Sequence, residues 1–284
     1  MVVWLVVSYL GVRHYVKRPM PMFKEWVPKP YADSFEALRL HTRDGQEIGA
    51  WFVEGKADVP IVIILHGKGG CRSAAMGDID FWREMGCAVM ALSLRCYGDS
   101  TGEADDFGFS ARYDVLAAVD WLEPRANGRP IVLNGRSMGA AAAVFAAKEL
   151  DHRVHGYVLE SLYSDLRTAA RNRTRMHLPP VIEWIGFQGM VLTAPLLLPK
   201  ADDIAPVRAI ADIPADIPVL LLTGERDRHA TSAESRLLFE RVRSHGQLEV
   251  FGDGGHNVLR NSDGDRYRIL MQSFLDKCCG PMPD

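Results

Sequence analysis

Hydrophobic and polar positions alternate from Ser34 to Val53 around a central Asp44-Gly45, the signature of an antiparallel hairpin. Beyond it, short continuous apolar runs alternate with stretches of helical period. Strands are predicted at Ile61 to Leu65, Ala88 to Leu94, Ile131 to Leu133, Tyr157 to Leu159, Val219 to Leu222 and Leu248 to Phe251. Helices are predicted at Ser73 to Met85, Ala111 to Leu122, Ala140 to Leu150, Ser232 to Val242 and Tyr267 to Leu275. In the second of these, Val115, Ala118, Val119 and Leu122 share one face. Strands apolar on both faces and joined by helices predict an α/β fold, a mainly parallel central sheet flanked by helices. There is no internal repeat and no low-complexity tract.

Two stretches do not fit that alternation. Between Asp165 and Pro218 lie Val181-Ile182-Glu183-Trp184-Ile185, Met190-Val191-Leu192 and Leu196-Leu197-Leu198, which are helical in character and more apolar than the sheet requires. A structureless connection of that length is disfavoured, so residues 166–217 are expected to form an inserted helical cap over a site. The second stretch is residues 1–30, expected to be a hydrophobic segment and a Pro-rich linker (Pro19, Pro21, Pro28, Pro30) ahead of a domain over 31–284. Met1 to Val12 is almost wholly apolar, and Arg13, His14, Lys17 and Arg18 follow it. Twelve helical residues reach about 18 Å, against roughly 30 Å of bilayer hydrocarbon. The charge also follows the run rather than preceding it, unlike a secretory signal. Three readings stay open: a truncated signal anchor, a membrane-surface helix, or a helix that packs on a partner subunit. They give an expected membrane-surface or homo-oligomer contact through residues 1–18, on the cytoplasmic side of a membrane.

Composition removes several classes. Lys plus Arg number 33 against 36 Asp plus Glu, a formal charge of −3, so no nucleic-acid partner is expected. The five cysteines (Cys71, Cys87, Cys96, Cys278, Cys279) are odd in number and follow no zinc spacing. A reducing compartment is expected rather than a disulfide scaffold, and no metal or other cofactor is called for.

Chemistry concentrates at three strand ends. Gly135-Arg136-Ser137-Met138-Gly139 matches G-x-S-x-G, with a strand running in and an Ala-rich helix leaving. Such a turn projects the serine as a nucleophile, and the helix amino terminus behind it favours an oxyanion. A base is needed next, and His256 lies in Gly252-Asp253-Gly254-Gly255-His256-Asn257, between the last strand and the last helix. His229 is the rival base, whereas His152 and His155 precede a strand and are expected at the surface. For the orienting acid, Asp227 in Leu222-Thr223-Gly224-Glu225-Arg226-Asp227 completes the chain order Ser…Asp…His. Glu225 is its nearest competitor, with Glu160 and Asp165 further options. The oxyanion donors are expected to be the backbone N–H groups of Met138 and of Lys68, the latter in His66-Gly67-Lys68-Gly69-Gly70. A phosphate cradle is the other use of such a loop. Arg72 stands where a third glycine would be needed, and no G-x-x-x-x-G-K-[ST] occurs.

Together these pieces resemble the alpha/beta-hydrolase superfamily over roughly residues 34 to 278. In finer detail the chain is similar to small, often membrane-anchored hydrolases related to prolyl-oligopeptidase-type enzymes. That branch carries an H-G-x-x-G oxyanion loop, an R-G-x-G-x-S-x-G turn, the serine elbow and a short helical lid. The turn stands here as Arg95-Cys96-Tyr97-Gly98-Asp99-Ser100-Thr101-Gly102, with Cys96 where glycine is usual; Cys71 stands where the oxyanion loop often has asparagine. The resemblance implies an alpha/beta-hydrolase fold and a cofactor-free serine hydrolase acting on acyl esters or thioesters. The leading expectation is a carboxylesterase on a small-molecule acyl ester. A lipid-directed acyl hydrolase (lysophospholipase, monoacylglycerol lipase or depalmitoylase) is the first alternative, and a non-catalytic binding protein the second.

Overall fold

The computed structural model describes residues 1–279 apart from 20, 32, 257 and 258. A helix, α1 (Val2–Val16), comes first. The hairpin follows as β1 (Phe35–His41) and β2 (Glu47–Val53), closed by Gly45 at φ +83°, a left-handed value that glycine tolerates. Then come β3 (Ile61–Leu65), α2 (Met76–Glu84), β4 (Ala88–Ser93), α3 (Arg112–Leu122), β5 (Ile131–Arg136), α4 (Met138–Leu150) and β6 (Gly156–Glu160). The stretch 166–217 holds α5 (Leu166–His177), α6 (Pro180–Thr193) and the short α7 (Pro206–Ala209). β7 (Val219–Gly224), α8 (Ser232–Arg241), β8 (Gly246–Phe251) and α9 (Gly264–Cys279) complete the chain order.

Among the described residues the strands form one eight-stranded sheet in the order β1-β2-β4-β3-β5-β6-β7-β8. β1 and β2 are antiparallel additions at one edge, and β4 through β8 run parallel to β3. Alternation along β3 shows why its run is apolar throughout. Ile61, Ile63 and Leu65 pack into the layer under the alanine-rich α4, while Val62 and Ile64 pack with Ile79, Trp82 and Met271 on the other face. Each such side chain contributes roughly 1.5–3 kcal/mol on burial.

The first thirty residues differ from expectation. The helix runs to Val16, and the Pro-rich run beyond it is held to the body instead of hanging as a spacer. Arg18 N–H donates to Glu103 O at 2.9 Å and Phe23 N–H to Gly98 O at 3.0 Å. Glu25, only 7% exposed, pairs with Arg72 at 2.9 Å and accepts from Ser93 Oγ and, at 2.9 Å, from Ser73 N–H. Burial opposes its charge, but these partners outweigh it and hold its carboxyl below the usual carboxylate value. Proline content reads as linker because it excludes regular structure, whereas here backbone hydrogen bonds and one buried carboxylate anchor the run. Glu25→Ala leaves a buried guanidinium short of one partner, so stability should fall by about 3 kcal/mol in urea unfolding at neutral pH. Wild-type stability from this pair is present above the unfolded carboxylate value and lost as pH falls through the lower folded value, so the gap should narrow in acid. A variant as stable as wild type would show the anchor to be superfluous.

Candidate active site

The serine turn follows from close packing. Ser137 joins β5 to α4 at φ +52° and ψ −111°, a strained backbone for a residue with a side chain. A Cβ at Gly139 would lie 2.1 Å from Leu65 O, and one at Gly135 would lie 2.6 Å from Ala140 Cα. Only glycine lets β3, β5 and α4 converge there, which is the physical content of the pentapeptide.

The structure brings Ser137, His256 and Asp227 together from three separate strand ends. His256 Nε2 lies 3.1 Å from Ser137 Oγ, and its Nδ1 lies 2.8 Å from Asp227 Oδ2. The other Asp227 oxygen accepts backbone N–H groups from His229 at 2.8 Å and Ala230 at 3.0 Å. Burial (4% exposed) works against charge on Asp227, but His256 and those amides prevail and keep its carboxyl below the ordinary value. A charged Asp227 accepts the Nδ1–H, leaving the Nε2 lone pair facing the serine hydroxyl, an arrangement able to take its proton.

Among the described residues, none of the rival side chains hydrogen-bonds to the side chain of Ser137 or His256. Glu225 is exposed. Glu160 is buried against Tyr267 Oη (2.7 Å), and Asp165 caps α5 through Thr168 N–H (2.9 Å). His229 lies tilted beside His256 with ring centroids 4.7 Å apart, and burial first, then its neighbours His256 and Arg173, hold its imidazole below the usual value. His152 and His155 are exposed, beyond the end of α4 that lies away from the turn.

Lys68 and Ser137 line the same pocket of about 500 Å³, and Met138 begins α4 directly behind the serine. Neither backbone N–H has an acceptor among the described residues, so both are available to a substrate oxygen. The Lys68 side chain is tied back to Asp105 at 2.5 Å and to Tyr15 O of α1 at 2.8 Å. His66, whose role sequence reasoning missed, shapes this loop. Burial pushes its imidazole down to about 4, so it is neutral. Its Nδ1–H donates to Gly67 O at 2.8 Å, and its Nε2 accepts from Leu94 N–H at 3.0 Å. The motif letter was visible, but a ring bonded to two backbones leaves no sequence signal. Among the described residues no group of three or more His, Cys, Asp or Glu is placed to hold a metal ion.

A second cavity of about 190 Å³ lies under the inserted helices, with Val12 and Val16 of α1, Phe107, Leu166 and Met190 in its walls. Arg173 of α5 lines this cavity and the Ser137 pocket alike.

Comparison with known proteins agrees with this fold. The chain is 26% identical over 234 residues to the human protein ABHD12B, covering 77% of this chain and 61% of that one. It is 28% identical over 131 residues to the lysophosphatidylserine lipase ABHD12 of Gallus gallus, covering 43% of this chain and 33% of the relative. These relatives are therefore longer than the region they share with this chain. Among solved structures, the Pyrococcus furiosus esterase Pf2001 superposes with a TM-score of 0.75 at 23% identity, over 92% of this chain and 99% of that one. The family model described as alpha/beta hydrolase matches residues 62–268, spanning the serine turn, Asp227 and His256, and the chain belongs to the alpha/beta hydrolase family.

Proposed function

We propose that the protein is a serine carboxylesterase that cleaves carboxylic esters through an acyl-enzyme on Ser137. The observation supporting this is the unbroken relay from Asp227 through His256 to Ser137, on the wall of an open pocket. His256 accepts the Ser137 proton as Oγ attacks the ester carbonyl, while the Lys68 and Met138 N–H groups take up the developing oxyanion. Asp227 stays charged and steadies the imidazolium, which then protonates the departing alcohol. Water attacks the acyl-enzyme with His256 again as base, and the carboxylic acid leaves. Initial rates on nitrophenyl esters from acetate to palmitate, beside a phospholipid and a thioester, test the reading. Folded protein that turns over none of them would leave a non-catalytic binding role.

A lipid-directed acyl hydrolase is the second reading, favoured by the apolar cavity and by what surrounds it. α1 crosses α6, with Trp4 Nε1 donating to Ile185 O at 3.0 Å and Ser8 packed at Gly189. In its first half α1 buries Ser8 and leaves Val2, Val3, Val6, Val7 and Leu10 exposed, beside exposed Val181, Ile182, Trp184 and Ile185 on α6. That is inverted for a water-facing helix pair, since covering each large side chain yields roughly 1.5–3 kcal/mol. No helix among the described residues is long and apolar enough to cross a membrane. We infer that this two-helix face rests on a lipid surface, with Arg13 and Lys17 near the headgroups. Wild type should sediment with vesicles containing phosphatidylserine, and Val6→Asp with Trp184→Asp should cut the bound fraction about tenfold. Wild type that ignores vesicles but loses a dimer mass in light scattering on the same substitutions would make the face an oligomer contact.

A further inference from the structure

The cations around the Ser137 pocket are matched by carboxylates, with one exception. Lys68 is held by Asp105, and Arg136 by Asp78 at 2.9 Å and Glu160 at 3.7 Å. On α5, Arg167 pairs with Asp202 at 2.9 Å and Arg171 with Glu183 at 3.6 Å. Arg173 is partly buried, and among the described residues it forms no ion pair; one of its N–H groups donates to Ala169 O, in its own helix, at 3.0 Å. The carboxylates that feel its charge are already engaged. Asp227 serves His256 and two amides, and Glu234 serves Ser164, Asn172 and Thr231. Burial draws the Arg173 guanidinium below its usual value, the sign of a cation without full compensation.

Its position gives that charge a direction. Of the described residues, Arg173 alone lines both the Ser137 pocket and the apolar cavity. A chain leading from an ester at Ser137 into the cavity would pass the guanidinium, so an anion meeting it sits close to the ester rather than at the far end of a chain. A partly dry guanidinium is costly until an anion arrives, and its planar fork suits the paired oxygens of a carboxylate or phosphate.

We propose that Arg173 forms an anion-binding subsite beside the reacting ester, selecting acyl esters that carry a carboxylate or phosphate group. This rests on the serine-hydrolase reading, and the test separates the two. Two matched substrate pairs place the anion on either side of the ester. Monooleoylglycerol against its phosphate monoester puts it on the leaving group; nitrophenyl hexanoate against the mono-nitrophenyl ester of adipic acid puts it on the acyl group. Wild type should favour the charged member of at least one pair in kcat/KM, and which pair responds locates the anion. Arg173→Gln should lower that charged-to-neutral ratio about tenfold or more, chiefly through KM, as expected for loss of a charged hydrogen bond. Arg173→Lys should restore most of the ratio, and Arg175→Gln, exposed on the same helix, should leave it in place. Neutral esters hydrolysed by Arg173→Gln with the ratio unchanged would overturn the subsite and leave the hydrolase standing. Wild type that prefers neither charged ester overturns it too, whether or not the variants fold. No ester turnover at all by wild type removes the hydrolase reading itself.

Discussion

Ser137→Ala protein is expected to retain roughly a millionth of the wild-type kcat on nitrophenyl esters, as when any relay of this kind loses its nucleophile. The Oγ that lies 3.1 Å from His256 Nε2 is the protein atom that bonds to the substrate carbonyl in the proposed cycle. Without it, the Lys68 and Met138 amides still polarise a carbonyl, so a residue of about a thousandfold or more over water should remain. The fold should survive, because alanine carries the same Cβ as serine into the φ +52° turn and both glycines are kept. A fluorophosphonate probe should label wild type at Ser137 and leave the variant unlabelled. Unchanged melting temperature with near-zero turnover fits the mechanism. Appreciable turnover by pure Ser137→Ala protein would sink it.

What could be read from the sequence was what short-range patterns encode. The hairpin around Gly45, the doubly apolar β3 and the glycine pair around Ser137 each express a local constraint, so each was visible in a window of a few residues. Strand order was not, because β2 and β3 both pair with β4 and nothing within either strand names that partner. The anchoring of Glu25 on Arg72 and Ser93 was hidden for the same reason, its partners lying far along the chain and its own segment lacking any period. α1 was legible as apolar, but its seat on α6 depends on Ser8 meeting Gly189, two small residues without a pattern. Cys96 shows a third kind of concealment. It stands at φ +70°, fully buried, where glycine would be unstrained, and burial pushes its thiol up to about 12. The substitution is plain in the sequence, but its backbone consequence depends on the path of the turn in space. Arg173 is one of four arginines on α5, and nothing in that run of letters marks it. Partial burial and a place in the walls of both pockets set it apart from Arg175, which is exposed and, among the described residues, equally without an ion pair.

Asp227→Asn should lower kcat by about 10⁴ while the protein stays folded, because the damage is to a proton's position. Two backbone N–H groups, from His229 and Ala230, point at Oδ1, so the asparagine carbonyl must occupy that place. Its amide NH₂ is then forced into the Oδ2 position and aims a hydrogen at His256 Nδ1, where the carboxylate had accepted one. The imidazole responds by carrying its own hydrogen on Nε2, which faces Ser137 Oγ and can no longer take a proton from it. The imidazolium formed during attack also loses the charge that steadies it. Because the amide still satisfies both backbone donors, the melting temperature should change little, and the loss should lie in kcat rather than KM. Glu225→Gln, at an exposed position, should stay within about twofold of wild type, as surface changes do. Should the large loss follow Glu225 instead, the orienting acid is the residue two places earlier, and the Ser137–His256 contact must be completed by a loop arrangement other than the one seen.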